Sequence, residues 1–163
     1  MIYRKAHIKD LEQCRTLGIE AYSEYRSSLE AKYWIALKTI LEDPQTVKNL
    51  YEGSTAYVCE IQNEIVGVIY YFSSGNPTDL YPKDLCYIRS LAVKPSYRKL
   101  GIGKRLTEIC IDHAQSSKEQ NIALHTSEMM PIAMAMYEKM GFIKKNEVER
   151  LGKKYWIYIK KLS

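Results

Sequence analysis

Residues 91–106 read LAVKPSYRKLGIGKRL. The apolar residues Leu91 to Val93 end a strand-like run, and Pro95 interrupts it. A helical pattern then begins at Ile102, directly after a turn that contains two glycines. The stretch therefore predicts a strand, a glycine turn and the start of a helix.

A turn of this kind is suited to an anion, above all to phosphate. The first amides of a helix have no partner within it, and the aligned peptide dipoles place partial positive charge there. Gly101 and Gly103 have no Cβ that would keep phosphate oxygens away from those amides. Four cations, two of them arginines able to fork onto phosphate oxygens, stand around the same point: Arg98, Lys99, Lys104 and Arg105.

Two common phosphate-binding motifs are excluded by spacing. A Walker A loop would need glycine at Arg98 and serine or threonine at Arg105. A dinucleotide fingerprint would need a third glycine where Leu106 stands. Taken alone, the glycine pair favours an ordinary tight turn between a strand and a helix.

Two motifs in this chain resemble the GCN5-related N-acetyltransferase family. The pattern Arg98-x-x-Gly101-x-Gly103 after a strand is similar to the acyl-CoA pyrophosphate loop of that family. Residues 133–142, AMAMYEKMGF, are similar to its A-x-x-x-Y-x-K-x-G-F signature. The resemblance implies a mixed, mostly antiparallel sheet with helices on both faces, an α/β (α+β) fold forming one N-acetyltransferase domain over residues 1–163.

Composition predicts a soluble globular protein. Of 163 residues, 46% are hydrophobic and 26% are charged. No apolar signal core follows Met1 and no apolar run reaches membrane-spanning length, so we expect a cytoplasmic protein without a membrane partner. The four cysteines lie far apart in apolar patterns, which favours buried reduced thiols over disulfides or a zinc site.

The formal net charge of +5 raises the alternative of a nucleic-acid-binding module. The basic residues are spread along the chain, apart from local density at 98–105 and 153–161. A polyphosphate ligand would explain part of this excess, and we expect no nucleic-acid partner.

Periodicity predicts the remaining elements. Asp10 is expected to cap a first helix, a second helix ends before Pro44, and Gly67 marks a bulge or a close backbone approach. A helix from Ile102 joins two strands as a right-handed βαβ crossover, and Gly141 ends the last helix. The expected strands are 3–6, 56–61, 65–72, 85–93, 121–125, 142–148 and 155–159.

The resemblance also implies the binding residues. The backbone of Leu91 and Val93 would pair with the pantetheine arm, and the amides from Leu100 to Lys104 would hold the pyrophosphate. Tyr22, Glu24 and Tyr25, at a polar and aromatic helix junction, would line the acceptor pocket or, equally well, be surface residues. The complete expected set for acetyl-CoA is Leu91, Ala92, Val93, Arg98, Lys99, Leu100, Gly101, Ile102, Gly103 and Lys104.

Tyr137 is the expected catalytic acid, because it matches the tyrosine of the second motif. A phenol with an ordinary pKa near 10 stays protonated at neutral pH and can give its proton to a departing thiolate. The alternative is a packed core tyrosine on the face that carries Ala133 and Met140.

A general base is harder to assign. Many family members carry a glutamate on the central strand, where this chain has Tyr87, Arg89 and Ser90. Glu128, His125 and Glu24 are the candidates, in that order, and His125 is equally a structural histidine at a strand end. Met130 stands where the family often has an asparagine that contacts the pantetheine arm.

The predicted function is acetyl transfer from acetyl-CoA to an amine of a small molecule or peptide, in a ternary complex, without a metal or a covalent enzyme intermediate. The missing strand glutamate keeps an alternative open, an acyl-CoA-binding domain with little or no catalytic activity. The sequence leaves open the identity of the amine and whether the chain forms a homodimer.

Overall fold

The computed structural model describes residues 1–162, which build one seven-stranded sheet in the order β1-β2-β3-β4-β5-β7-β6. Strands β4 and β5 are parallel and every other neighbouring pair is antiparallel, as predicted. The strands are β1 (Ile2–Lys5), β2 (Thr55–Ile61), β3 (Glu64–Phe72), β4 (Cys86–Val93), β5 (Asn121–Ser127), β6 (Ile143–Arg150) and β7 (Lys153–Lys161).

Five α-helices connect these strands, and none within residues 1–162 is long and apolar enough to cross a lipid bilayer. A short 3₁₀ segment, Ser23–Ser28, forms the predicted polar junction after the first helix. The helices are α1 (Leu11–Tyr22), α2 (Ala31–Glu42), α3 (Pro44–Gly53), α4 (Ile102–Ser116) and α5 (Pro131–Lys139).

The start of α1 differs from the prediction that Asp10 caps it. The Asp10 side chain makes no capping hydrogen bond to α1. It accepts instead from the His7 amide at 2.7 Å and from Arg4 Nη1 at 2.8 Å. Asp10 directly precedes α1 but is also the last residue of a 3₁₀ turn, Ile8–Asp10, so its backbone is already helical and its carboxylate bonds back to the start of that turn.

The sheet is covered on both faces, as expected. One face packs under α4 and α5 through a cluster that includes Ile69, Leu106 and Tyr137. The other face packs under α1 and α3 through a cluster that includes Leu17 and Val68. From Val68 to Phe72 the side chains of β3 enter the two clusters alternately, which is the two-residue period of a strand buried on both faces.

Gly67 marks a close approach between β3 and α4. A Cβ at this position would lie 2.8 Å from Ile102 Cγ2 and 3.1 Å from Leu106 Cδ1. The prediction of a close backbone approach is confirmed. The first turn of α4 therefore rests directly on the backbone of β3, which fixes the position of the glycine turn that precedes it.

Strands β4 and β5 separate soon after they meet. Their parallel register contains only Cys86 with Ile122 and Tyr87 with Ala123. Ser90 has a φ of 57°, and the β3–β4 register shifts beside it. Within residues 1–162, β4 from residue 88 onward therefore has no strand partner on its β5 side, and a wedge opens between the two strands.

Candidate active site

The glycine turn presents a row of unpaired amides. The first helical hydrogen bond of α4 runs from the Arg105 amide to the Gly101 oxygen at 3.0 Å. Among residues 1–162, the amides of residues 100–104 donate no hydrogen bond. Lys99 and Gly101 both have positive φ, 67° and 78°, so the turn curls its amides toward one side.

The space around this turn fits a diphosphate. A Cβ on Gly101 would meet no atom within 4 Å, and Lys99 and Lys104 are exposed cations beside the amides. A groove between the first turn of α4 and α5 lies next to them and includes Lys104, Ile132 and Met136 in its lining. Unpaired amides, open space and cations together suit the pyrophosphate and the nucleotide of coenzyme A.

Gly103 faces the wedge. Its ideal Cβ would lie 3.5 Å from Leu91 Cδ2, 3.8 Å from Val93 Cγ2 and 4.0 Å from Met136 Sδ. The missing side chain leaves room between β4, α4 and α5. Leu91 and Val93 lie on this α4 face of the sheet, whereas Ala92 is buried in the cluster under α1.

Arg98 joins the predicted cofactor loop to the predicted acceptor segment. Its guanidinium Nη1 donates to Glu24 Oε2, and its Nη2 lies 3.4 Å from the Ala21 oxygen. The two side chains are about equally exposed, 36% and 40%. The structure thus brings together one residue expected to bind the cofactor and one expected to bind the acceptor.

Tyr22 and Tyr25 lie against the wedge. The Tyr22 hydroxyl donates to the Leu91 oxygen at 3.0 Å, and the two tyrosine rings are 6.0 Å apart. A carbonyl oxygen has two lone pairs, so Leu91 can still accept a second hydrogen bond. Burial raises the pKa of Tyr22 to about 12, and burial followed by the charge of Glu24 raises the pKa of Tyr25.

Tyr137 is buried in α5, beside the wedge between β4 and β5. Its ring meets Phe142 edge to face with the centroids 5.7 Å apart. Burial is the main cause that raises its pKa above the ordinary 10.0, and the neighbouring phenols of Tyr22, Tyr25 and Tyr81 act in the same direction. The phenol is therefore fully protonated at neutral pH, as a proton donor must be.

Tyr81, Tyr87 and His125 form a second group of residues beside β4 and β5, and the sequence patterns did not predict this group. Tyr81, from the loop before β4, stacks on Tyr87 at 4.3 Å, and its hydroxyl lies 2.6 Å from His125 Nδ1. Burial, then the charges of Arg150 and Arg89, lower the pKa of His125 to about 4. The imidazole is neutral at physiological pH and is a weak base.

The structure also gives the positions of the other two candidate bases and of Met130. Glu128 is exposed directly after β5, and its amide donates to the Lys154 oxygen at 3.2 Å. Its carboxylate makes no hydrogen bond or ion pair with residues 1–162, whereas Glu24 is held by Arg98. Met130 precedes α5, and its sulfur lies 3.6 Å from the Thr126 hydroxyl.

The architecture is that of solved N-acetyltransferases. The structure of PaiA N-acetyltransferase from Thermoplasma acidophilum, in complex with coenzyme A, has a TM-score of 0.80 to this chain at 17% identity. The match covers 99% of this chain and 98% of that one, which establishes the fold. The chain belongs to the Acetyltransferase (GNAT) family, whose model matches residues 11–142.

Curated relatives are N-acetyltransferases of larger size. A probable N-acetyltransferase camello from Xenopus tropicalis is 27% identical over 133 residues, 80% of this chain and 55% of that protein. N-alpha-acetyltransferase 30 from Saccharomyces cerevisiae is 42% identical over 64 residues, 39% of this chain and 36% of that protein. The chain thus matches only about a third to about half of the length of these relatives.

Proposed function

We propose that this chain transfers the acetyl group of acetyl-CoA to an amine of a small molecule or peptide. The observation that carries the proposal is the row of unpaired amides at residues 100–104, beside the wedge between β4 and β5. The amides would hold the pyrophosphate together with Arg98, Lys99 and Lys104. The free edge of β4 would hold the pantetheine arm as an added strand, through the backbone of Leu91 and Val93.

Positioning would supply much of the rate. Two reactants held in near-attack geometry can lower the barrier by as much as about 7–11 kcal/mol. In the transfer, the amine nitrogen attacks the thioester carbonyl carbon, and the carbon–sulfur bond then breaks. The products are the N-acetyl amide and the free thiol of coenzyme A. Because the amine itself attacks the thioester, no enzyme residue is acetylated.

Tyr137 would supply the proton that the departing sulfur takes up. Its buried phenol keeps that proton at neutral pH and lies near the hydroxyls of Tyr22 and Tyr25, at the acceptor side of the wedge. The coenzyme A thiol, with an ordinary pKa of about 8.5, is the stronger acid, so the phenol would stabilise the developing thiolate through a hydrogen bond and would regain from water any proton that it passes to the sulfur.

The amine must also lose a proton, and Glu128 is our first candidate for its acceptor, acting through water. Glu128 lies where β5 ends, on the opened side of the wedge, and its carboxylate is exposed. His125 and Glu24 rank lower, because His125 is a weak base and Glu24 is held by Arg98.

We also propose a cytoplasmic location. All four cysteines are buried free thiols, as predicted, and such thiols are typical of a reducing compartment. These four residues are Cys14, Cys59, Cys86 and Cys110.

A thiol-release assay tests the transferase proposal. Acetyl-CoA is incubated with the protein and a panel of amines that includes polyamines, amino sugars, amino acids, peptides with free N-termini and lysine peptides. We expect amine-dependent release of coenzyme A with at least one class. Tight acetyl-CoA binding with no release on any amine would favour the acyl-CoA-binding alternative, which the lack of a carboxylate at Arg89 and Ser90 supports.

A further inference from the structure

Arg89 is a cation placed in the acceptor side of the site. It lies on β4 opposite Tyr70 of β3, directly before the kink at Ser90, and it is half-buried. Tyr70 and Tyr87 are both in the cluster on the α1 face, so this part of β4 faces the helix junction that carries Tyr22.

The guanidinium of Arg89 has no carboxylate partner among residues 1–162. The other half-buried arginines each have one: Arg4 lies 2.8 Å from Asp10, Arg15 lies 2.6 Å from Glu12, Arg150 lies 3.1 Å from Asp79, and Arg98 contacts Glu24. Arg89 makes neither an ion pair nor a hydrogen bond within this part of the chain. A half-buried charge without a counter-ion is costly, so a ligand that supplies one would bind favourably.

The groups around Arg89 do not neutralise it. Burial raises the pKa of Tyr22, Tyr81 and Tyr87 and lowers that of His125, and the charge of Arg89 contributes a smaller downward effect on all four. The phenols and the neutral imidazole carry no charge at physiological pH. Asp79, whose negative charge also acts on His125, is 80% exposed and is held by Arg150.

The position of Arg89 relative to the wedge limits the size of the ligand. Arg89 and Leu91 are two residues apart on one strand, at most about 7 Å along the backbone. Tyr22 interacts with both parts of β4: its hydroxyl donates a hydrogen bond to the Leu91 oxygen, and the charge of Arg89 acts on its pKa. An anion on Arg89 would therefore lie within a few bonds of an amine that approaches the wedge.

We propose that Arg89 binds the carboxylate of the acceptor, and that the acceptor is a small amino acid-like molecule with its amine and carboxylate close together. A guanidinium can form two parallel hydrogen bonds with a carboxylate, which would also orient the amine. The inference rests on the proposed acetyl transfer, of which it names the substrate class.

Matched substrates test this directly. Free L-amino acids and the corresponding L-amino acid amides are compared as acceptors at saturating acetyl-CoA, with thiol release as the readout. We expect kcat/KM to be roughly 10- to 100-fold higher for the preferred acids than for their amides, the range of a charged hydrogen bond. Arg89→Gln is expected to remove this preference by weakening the acids alone, with the KM for acetyl-CoA unchanged.

Two further variants serve as controls. Arg89→Lys retains the charge without the fork and is expected to keep part of the preference. Arg15→Gln removes a half-buried positive charge on α1 that is paired with Glu12, and it is expected to keep the whole preference. If Arg89→Gln does not fold, the acid–amide contrast in the wild type and in Arg89→Lys decides the question.

The inference is overturned if wild-type protein acetylates amides as fast as acids, or if Arg89→Gln keeps the preference. It is also overturned if Arg89 instead selects a carboxylate on the acyl donor. In that case the wild type would use succinyl-CoA faster than acetyl-CoA, and Arg89→Gln would lose this difference. If the wild-type protein releases no thiol with any amine, the proposed acetyl transfer itself is contradicted. In that case calorimetry with the same amino acids decides the inference, and no Arg89-dependent binding would overturn it.

Discussion

Tyr137 is a packed core residue for which we propose a second role, proton donation. Its ring packs against Phe142 in the cluster under α4 and α5, and the same burial raises the pKa of its hydroxyl. The second sequence motif identified this residue among 14 tyrosines. The motif could not reveal that the phenols of Tyr22, Tyr25 and Tyr81 add to the rise in its pKa, because those residues come from distant parts of the chain.

We predict that Tyr137→Phe slows acetyl transfer by roughly 10²–10⁴-fold, because the departing thiolate loses its proton donor. The KM for acetyl-CoA should stay within a small factor of the wild-type value, since the ring and its packing remain. Steady-state thiol release measures both. Unchanged kcat would leave Tyr137 with a structural role alone.

His125 gives a second residue-scale prediction, on the pH dependence of stability. Its pKa falls from 6.5 to about 4 on folding, so the unfolded chain takes up this proton first as the pH falls. The stabilisation from neutral His125 is fully present above about pH 6.5 and is lost between about pH 6.5 and about pH 4. The loss amounts to about 3 kcal/mol in the free energy of unfolding.

Urea unfolding of the wild type and of His125→Gln across this pH range measures the effect. The glutamine can keep a hydrogen bond to Tyr81. The pKa of His113 is also lowered by burial, but His113 is present in both proteins, so its contribution cancels in the difference between their stabilities. We expect the stability difference between the two proteins to shrink steadily as the pH falls. A difference that is independent of pH would contradict a buried neutral imidazole.

At the scale of elements, the contact between β3 and α4 positions the amides that define the site. Gly67 allows this contact, since any side chain there would collide with Ile102 and Leu106. The sequence predicted a close approach at this glycine, and its seven strands, four of the five helices and one parallel crossover are likewise confirmed.

We predict that Gly67→Ala lowers the free energy of unfolding by about 1–3 kcal/mol, the usual cost of an overpacked core. It should also weaken acetyl-CoA binding, because the first turn of α4 must shift. Gly18→Ala is the matched control: its Cβ would lie 3.9 Å from Leu41 Cδ2, an ordinary contact, in the middle of α1. That change should stabilise the protein by about 0.5–1 kcal/mol. Chemical denaturation measures both changes, and equal effects would contradict the close approach.

Two element-scale features were missed for different reasons. Helix α3 begins with Pro44 at its first turn and Asp43 as its cap, whose carboxylate accepts from the Gln45 amide at 2.9 Å. That signal was present in the sequence, because Asp-Pro is a typical helix start. The separation of β4 from β5 had no such signal, since serine gives no indication of the positive φ found at Ser90.

At the scale of the whole molecule, the two halves of the site differ in how far the sequence could predict them. The cofactor half comes from two continuous stretches, 91–106 and 133–142, whose spacing can be read directly. The proposed acceptor half is assembled from α1, the loop before β4, β4 itself and β5. Its members, such as Arg89 and His125, acquire their roles only from neighbours that folding brings to them.

Acetyl-CoA affinity, measured by titration calorimetry on the wild type and on Gly103→Val, tests the central claim most directly. The valine methyl groups would enter the space between Leu91, Val93 and Met136 and would restrict the approach to the amides of α4. We predict that the wild type binds acetyl-CoA and that the variant, with its fold intact by circular dichroism, binds it at least about tenfold more weakly, a change of about 1.4 kcal/mol. Failure of the wild type to bind acetyl-CoA, or equal binding by the folded variant, would contradict the account.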